Sequence, residues 1–487
     1  MRVRLGILIC LLLTGLVTLW TIGPRLGYRF PSTIDDWSAI DKAPHQLHVV
    51  LRLGMPEDMR YRPGFVVWNA LQWHTLGAPE RFVGPEVWGL ARVAVLLVGV
   101  LLLALLLVEA QRPRVLGRDP RWLLVAGVTL AVVTVPALGV DLARYGPQEQ
   151  LLVGCMALGA VLLVRALNAL LDGRRSWTTP VAAVAGVLVW SFGVLQKETS
   201  TCVLLLAPFL WPTIRAERGR WRPASPRRRA GIGLVAAGLL LPFVPMVART
   251  IQLGLADERV YESAATGTSL ASRISDQLSQ AGGVLASNLP VAIVLAAIAL
   301  VAVGAFRFGF DWLSLGLLVV AFAFVAFAAD TGIVTSRYYL PPFVLAALAL
   351  ARSAVPLGTV AIVASGLLLT VGGLAYAPAA RHWVAGWVEA ERARETIVRA
   401  AAARAAGGCE VRVVGLNVEL VEALPVLMPL AKESPSGCVP GERFVVVIDR
   451  GAPGTATPPD NPILAACRPE PTPVETIDVA DIFRCTA

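Results

Sequence analysis

Two adjacent acids, Asp35 and Asp36, are the side chains best suited to catalysis in this sequence, and they follow the first hydrophobic segment. A carboxylate within hydrogen-bond reach of a hydroxyl can take its proton and make the oxygen a nucleophile. A second carboxylate beside it can raise the pKa of the first or help to hold a divalent cation, and metal dependence stays open. The alternative is a solvated pair that caps a helix.

Three later cations have the opposite charge and also lie at the ends of apolar segments: Arg62, Lys197 and Arg337. Arginine guanidinium groups match the oxygens of a phosphate, and an ammonium group can hold the same anion. Glu198 is expected to set the position of its neighbour Lys197. The alternative at this turn is a Lys–Glu pair that satisfies only itself.

Further polar side chains accompany these cations. Arg60 precedes Arg62 in the first loop, and Tyr338 and Tyr339 follow Arg337. The tyrosines can hydrogen-bond to a sugar or stack on it, and Arg60 adds positive charge. The alternative for both groups is anchoring at a membrane interface, where Tyr and Arg are frequent.

The composition predicts that a membrane holds the elements that carry these residues. Of the 487 residues, 56% are hydrophobic and 16% are charged, which is too much apolar surface for a soluble domain to bury. The net charge of +9 comes from arginines between hydrophobic segments, which is the positive-inside pattern rather than a nucleic-acid surface. The Ala/Arg/Val/Gly bias is typical of a GC-rich bacterial genome.

Hydropathy predicts an α-helical polytopic membrane protein with about eleven transmembrane helices. The first, Leu5 to Ile22, is interpreted as a retained signal anchor with a cytoplasmic N-terminus. The other spans are expected near residues 87–108, 122–140, 149–170, 179–196, 200–214, 231–251, 286–305, 312–329, 339–353 and 355–376.

This arrangement predicts which side of the membrane each loop occupies. The arginine-dense loops 110–121, 172–178 and 214–229 fall inside. The long loops 24–86 and 252–285 then fall outside, and the acid pair and the three cations lie on that same outer face. We therefore expect a multi-pass protein of the plasma (inner) membrane.

The chain is divided by composition into a transmembrane module, residues 1–377, and a small extracytoplasmic α/β domain, residues 378–487. Within the second part, Glu410 to Leu416 and Arg443 to Asp449 are predicted strands, and helices are predicted from Trp383 to Ala406 and from Val418 to Leu430. Four cysteines of this part predict two disulfides in an oxidising compartment, with the pairing open: Cys409, Cys438, Cys467 and Cys485.

The transmembrane part resembles the GT-C superfamily of integral-membrane glycosyltransferases, especially its mannosyltransferase-like and dolichyl-phosphate-mannose-dependent branches. The resemblance covers roughly residues 1–376. The motifs that carry it are Asp35-Asp36 after the first helix, Tyr61-Arg62-Pro63 with Phe65 to Gly77, Lys197-Glu198-Thr199, and Arg337-Tyr338-Tyr339-Leu340-Pro341. Each is short, and together they stand in the order and on the membrane side that this superfamily uses.

The resemblance implies transfer of a sugar from a polyprenyl-phosphate donor to an extracytoplasmic glycan, lipid or protein, by a single displacement with inversion. Asp35 or Asp36 would be the base. The donor phosphate would be held by Arg62, Lys197 and Arg337, with Arg60, Glu198, Tyr338 and Tyr339 in support. No nucleic-acid partner is implied. The chain departs from the superfamily at Gly64, where a bulky apolar residue is expected after the proline.

Two other functions remain open. A polytopic transporter or flippase is one, although such proteins often show internal repeats and polar residues near the bilayer midplane. Here no clear repeat is found, and the polar residues gather at one face. The other is a non-catalytic subunit for assembly of the cell envelope, acting through residues 378–487.

Overall fold

The structure is a computed structural model. It describes residues 2–26, 47–50, 62–76, 85–110, 120–134, 149–172, 177–210, 212, 226–255, 272, 289–330, 339–414, 442–448, 468–469, 472–477 and 480–486.

Most described residues belong to helices, as expected for long apolar segments whose backbone groups must bond internally within a bilayer. The helices are α1 (Arg2–Ile22), α2 (Pro63–Leu76), α3 (Pro85–Glu109), α4 (Trp122–Thr134), α5 (Glu149–Asp172), α6 (Thr178–Val194), α7 (Pro226–Leu240), α8 (Phe243–Leu255), α9 (Leu289–Phe308), α10 (Trp312–Asp330), α11 (Leu340–Leu357) and α12 (Thr359–Ala406). A 3₁₀ helix, Glu198–Leu206, follows α6.

Six apolar segments of the described residues are long enough to cross a membrane: Gly89–Glu109, Glu149–Leu170, Ala230–Arg249, Val291–Phe308, Leu340–Leu357 and Thr359–Glu389. Five shorter apolar helices coincide with the remaining predicted spans: Leu12–Ile22, Trp122–Thr134, Thr178–Val194, Glu198–Leu210 and Trp312–Phe327. The positions of the predicted spans therefore agree with helices, whereas the number that cross the bilayer stays a prediction.

Helix α5 packs between α3 and α6 at the centre of the bundle. Its contact with α3 is backbone to backbone, because a Cβ atom on Gly99 would lie 2.3 Å from the carbonyl oxygen of Gly154. Small residues allow helices in membranes to approach in this way. This packing fixes the first turn of α5, which begins at Glu149, against the last turn of the antiparallel α6.

Helix α11 forms much of the core, and every residue from Leu340 to Val355 is buried except Leu345. Near its end, Arg352 donates through Nε to Asp311 at 3.0 Å and through Nη1 to the carbonyl oxygen of Leu107 at 3.4 Å. This buried cation ties α11 to the start of α10 and to the end of α3. It lies far along α11 from Tyr339, which precedes the helix at its other end.

Helix α12 is a single helix of 48 residues, with Pro378 in its interior. The sequence predicts a span that ends near residue 376 and a separate helix that begins at Trp383; the structure corrects this, because helical backbone continues between them. At 1.5 Å per residue the helix is about 72 Å long, more than twice the hydrocarbon thickness. Its C-terminal part therefore extends beyond the bilayer.

The C-terminal end of α12 packs against a small sheet, and Arg404 of α12 forms an ion pair with Glu475 of that sheet. The strands are β1 (Glu410–Val414), β2 (Arg443–Ile448), β3 (Arg468–Pro469), β4 (Glu475–Ile477) and β5 (Ala480–Thr486). β1 and β2 are parallel, β5 runs antiparallel to β2, and β3 and β4 each pair with β5.

The sheet lies in part where the sequence predicts it. β1 and β2 coincide with the two predicted strands, whereas β5 lies in a part of the tail for which no strand is predicted. The predicted helix from residue 418 to 430 lies outside the described residues. Cys409 and Cys485 are both disulfide-bonded, and the other two cysteines of this part also lie outside the described residues.

Candidate active site

Two ion pairs join three elements at one end of the bundle. Arg62, just before α2, donates from Nε to Glu198 at 2.6 Å and from Nη2 to the other carboxylate oxygen. Lys197 forms an ion pair with Glu149, the first residue of α5. The neighbours Lys197 and Glu198 thus turn to different partners. From the sequence we expect Glu198 to position Lys197, whereas in the structure Glu198 forms a bidentate contact with Arg62.

The backbone between α6 and the 3₁₀ helix explains this divergence. Lys197 is in an extended conformation, with φ −158° and ψ 141°, so successive side chains point to opposite sides. The lysine side chain is thereby directed to α5 and the glutamate side chain to the start of α2. A hydrogen bond across the turn holds this backbone in place: the Oγ atom of Ser200 donates to the carbonyl oxygen of Val194 at 2.8 Å.

The two pairs differ in their access to solvent. Side chains of Lys197 and Glu149 are 4% and 3% exposed, whereas those of Arg62 and Glu198 are 13% and 19% exposed. A buried charge is costly unless it is paired, so Glu149 compensates Lys197 within the bundle. The more accessible guanidinium of Arg62 is therefore the better placed of the two cations to meet an anion from outside.

The surroundings of Gly64 explain why glycine, rather than a bulky apolar residue, follows Pro63. Its backbone N–H donates to the carbonyl oxygen of Leu195 at 3.0 Å. A Cβ atom at this position would lie 2.8 Å from the carbonyl oxygen of Phe192 and 2.9 Å from Nε2 of Gln196. The first turn of α2 therefore rests directly on the last turn of α6, and a larger residue is excluded. This contact brings Arg62 to Glu198.

We expect Gly64→Ala to destabilise the protein by about 1–3 kcal/mol, the usual cost of overpacking. The added methyl group meets backbone atoms, so α2 has to move away from α6 and the Arg62–Glu198 contact lengthens. Thermal unfolding of the purified protein in detergent measures this loss. Gly15→Ala is the matched control, since a Cβ atom at Gly15 has nothing within 4 Å; equal unfolding temperatures of the two variants would contradict the contact.

An apolar cavity of about 260 Å³ lies inside the bundle. It is lined by residues of α3, α5, α7, α10, α11 and the 3₁₀ helix, together with Trp190 of α6. On α5 its first lining residue is Leu152, three residues after Glu149, and on the 3₁₀ helix it is Val203, five residues after Glu198. The lining therefore begins about one helical turn after Glu149, and none of the four ion-paired side chains is part of it.

The structure brings part of the predicted site together. Arg62, Lys197 and Glu198 form the cluster described above, and Tyr339 is buried at the start of α11. The remaining predicted residues lie outside the described part of the chain: Asp35, Asp36, Arg60, Arg337 and Tyr338. No group of three or more His, Cys, Asp and Glu side chains suited to a metal ion occurs among the described residues.

Sequence reasoning missed Glu149 as a member of the cluster. A signal was present, because Glu149 is an acid at the first position of a predicted apolar span, and ionisable residues at such depths are usually paired. The partner of Glu149 could not be predicted from the sequence, because Lys197 is 48 positions away.

The whole chain is similar in fold to one solved structure, ArnT from Cupriavidus metallidurans bound to undecaprenyl phosphate. The similarity covers 98% of this chain and 97% of that chain, with a TM-score of 0.52 and 13% sequence identity. No protein-family model and no curated protein matches the chain. The apolar helices and this neighbour together indicate a multi-pass membrane protein, and the likeness shows that the chain shares its fold with ArnT.

Proposed function

We propose that this protein is an integral-membrane glycosyltransferase that moves a sugar from a polyprenyl-phosphate donor to an extracytoplasmic glycan, lipid or protein. The observation that carries the proposal is a cluster of paired cations about one helical turn from the lining of an apolar cavity, in a chain with the fold of ArnT. ArnT was crystallised with undecaprenyl phosphate, whose long apolar tail and anionic head match these two surroundings.

Arg62 is the first residue that we assign to the donor phosphate. Its guanidinium is already oriented by Glu198 and is partly accessible, so little ordering is needed when an anion arrives. Lys197 and Arg337 complete the positive surroundings in this proposal, and Glu149 holds Lys197 in place. Negative charge grows on the phosphate as the sugar leaves, so fixed cations lower the barrier.

Asp35 or Asp36 is the proposed general base. The acceptor hydroxyl oxygen attacks the anomeric carbon while the carboxylate takes its proton. The bond between the anomeric carbon and the phosphate oxygen breaks, the electron pair goes to the phosphate, and the polyprenyl phosphate departs. A single displacement of this kind inverts the anomeric centre. The role of the second acid is to raise the pKa of the first or to hold a divalent cation.

We place the reaction on the outer face of the plasma membrane. The support is the distribution of arginine between the predicted loops, which favours a cytoplasmic N-terminus, and the two disulfide-bonded cysteines Cys409 and Cys485, which favour an oxidising compartment for residues 378–487. That domain is proposed to contact the acceptor.

The test is turnover of radiolabelled polyprenyl-phosphate sugars by the purified protein with membrane extracts as acceptor. We expect a sugar label to move from the lipid to a slower or larger product. A transporter would move the lipid across a vesicle without breaking its sugar–phosphate bond. A non-catalytic assembly subunit would lose its function when residues 378–487 are deleted but keep it in Lys197→Ala and Arg337→Ala.

The apolar cavity provides a second prediction. Ala160 lines the cavity, and Ala160→Phe fills part of it, so we expect the Kd for undecaprenyl phosphate to rise about 10-fold, equivalent to 1.4 kcal/mol. Ala236→Phe is the matched control, because Ala236 is exposed on α7 and takes no part in the lining. Equal affinities of the two variants would show that the tail binds elsewhere.

A further inference from the structure

The short connection between α9 and α10 exposes four aromatic side chains, and we call residues 306–312 the aromatic turn. Phe306 and Phe308, in the last turn of α9, are 94% and 39% exposed. Phe310 and Trp312, where α10 begins, are 59% and 39% exposed. The rings of Phe310 and Trp312 are stacked, with their centroids 5.3 Å apart. Exposed apolar groups concentrated in this way mark an interaction surface.

Gly309 and Asp311 fix the conformation of the aromatic turn. Gly309 has a φ of 87°, which favours glycine, and a Cβ atom there would have nothing within 4 Å. Asp311 accepts a hydrogen bond from Oγ of Ser314 at 2.6 Å and another from Nε of the buried Arg352 at 3.0 Å. The turn is therefore attached to the core through Asp311, while its outer surface stays open.

The aromatic turn lies at the end of the bundle opposite the ion-pair cluster. Gly316, one helical turn into α10, packs against Leu206 and Phe209, since a Cβ atom on it would lie 2.8 Å from each. Leu206 ends the 3₁₀ helix whose first residue is Glu198, so the cluster is at the other end of that helix. Helix α9 has 20 residues and is about 30 Å long, equal to the hydrocarbon thickness. If α9 crosses the bilayer, the aromatic turn lies at a membrane–water interface.

Arg307 adds a positive charge between the exposed rings. It is exposed in the last turn of α9. The acid four positions later, Asp311, forms its ion pair with Arg352. Aromatic rings and arginine are the groups that favour the headgroup level of a membrane, and a guanidinium matches the oxygens of a phosphate. The turn thus offers both groups that a phospholipid needs, a cation for its head and apolar rings for its upper acyl chains.

We propose that the aromatic turn binds anionic phospholipids at the membrane interface, with Arg307 on the lipid phosphate and the rings among the upper acyl chains. A zwitterionic headgroup brings its own cation, so the arginine favours an anionic one. The partner is a lipid surface rather than a protein because the turn directly continues an apolar segment long enough to cross a membrane, Val291–Phe308. In the predicted topology this surface is the cytoplasmic leaflet. The inference does not depend on the proposed sugar transfer.

The experiment introduces a photoreactive side chain, Phe306→p-benzoylphenylalanine, into the full-length protein in nanodiscs of equal amounts of phosphatidylglycerol and phosphatidylcholine. Illumination joins this side chain covalently to its neighbours, and mass spectrometry identifies them. We expect adducts with phosphatidylglycerol to exceed those with phosphatidylcholine about 5-fold, the preference that one cation near an anionic surface provides. Arg307→Gln in the same protein should remove this preference.

Two further positions supply controls. Phe322 is 54% exposed farther along α10, so Phe322→p-benzoylphenylalanine should join both lipids equally. Val474 is 45% exposed beside the sheet, beyond the bilayer, and Val474→p-benzoylphenylalanine should join neither. Adducts at position 306 with another protein chain, or no adducts there while position 322 reacts, would overturn the lipid surface. Equal adducts with the two lipids at position 306 would overturn the role of Arg307 and the preference for anionic lipid.

Discussion

Replacement of both Asp35 and Asp36 by asparagine is expected to lower kcat for sugar transfer by about 10²–10⁴-fold, the contribution typical of a general base. Asparagine keeps the size and hydrogen-bonding capacity of each side chain but cannot take the proton of the acceptor hydroxyl. The measurement is transfer of label from a saturating polyprenyl-phosphate sugar. The two single variants then identify the base, because only one of them should lose most of the activity.

The control for this experiment is binding of undecaprenyl phosphate to the same double variant. Since the acids are assigned to the acceptor rather than to the lipid, we expect its Kd to remain within about 2-fold of the wild-type value. Full transferase activity in the double variant would remove the proposed base and leave the pair as a solvated loop feature.

The second large effect is expected for the buried pair Lys197–Glu149. Lys197→Met alone leaves a buried carboxylate without its cation and should destabilise the protein by about 3–5 kcal/mol. Lys197→Met/Glu149→Met removes both charges, and such replacements often restore stability. If Lys197 contributes to the phosphate site, transfer stays low in the double variant although the protein unfolds at nearly the wild-type temperature.

A second ion pair, in which Arg352 is 2% exposed and Asp311 is 22% exposed, supplies a comparison. Arg352 and Asp311 are joined at 3.0 Å at the other end of α11, away from the ion-pair cluster. We expect Arg352→Met to reduce stability less than Lys197→Met does, because Asp311 is partly exposed to solvent, and Arg352→Met/Asp311→Leu to recover both stability and transfer. Recovery of transfer in the Lys197→Met/Glu149→Met variant as well would make Lys197 a structural residue only.

The positions of the helices could be predicted from the sequence alone. Long apolar segments predict helices at the right places because a bilayer permits little else. The expectation that Arg62 and the Lys197-Glu198 turn lie together also came from sequence, through charge at the ends of apolar segments and through the resemblance of their motifs. The chain also shares its fold with ArnT over nearly its whole length.

The features that sequence did not predict depend on tertiary contacts. Pairing of Lys197 with Glu149 requires the register of α5 against α6, and pairing of Glu198 with Arg62 requires the approach of α2 to α6. No local pattern specifies either contact. The need for Gly64 likewise follows from the approach of α2 to α6. Continuity of α12 was missed because the chain was divided near residue 378 by its change of composition, whereas in the structure one helix crosses this boundary and contacts both α1 and the sheet.

A contact of α12 shows how tertiary structure overrides that local signal. Three residues after Pro378, Arg381 donates to the carbonyl oxygen of Trp20, and its guanidinium lies 5.0 Å from the centroid of the Trp20 ring. The cation also interacts favourably with the C-terminal end of α1. This attachment holds α12 beside the helix that leads into the segment with the acid pair.

The most direct test of the account is an experimental structure of the protein with undecaprenyl phosphate bound. The account predicts that the phosphate contacts the guanidinium of Arg62, that the tail enters the cavity between α5 and α11, and that Asp35 or Asp36 faces the position of the anomeric carbon. A lipid phosphate bound far from Arg62, or acids on the opposite side of the membrane from it, would contradict the account.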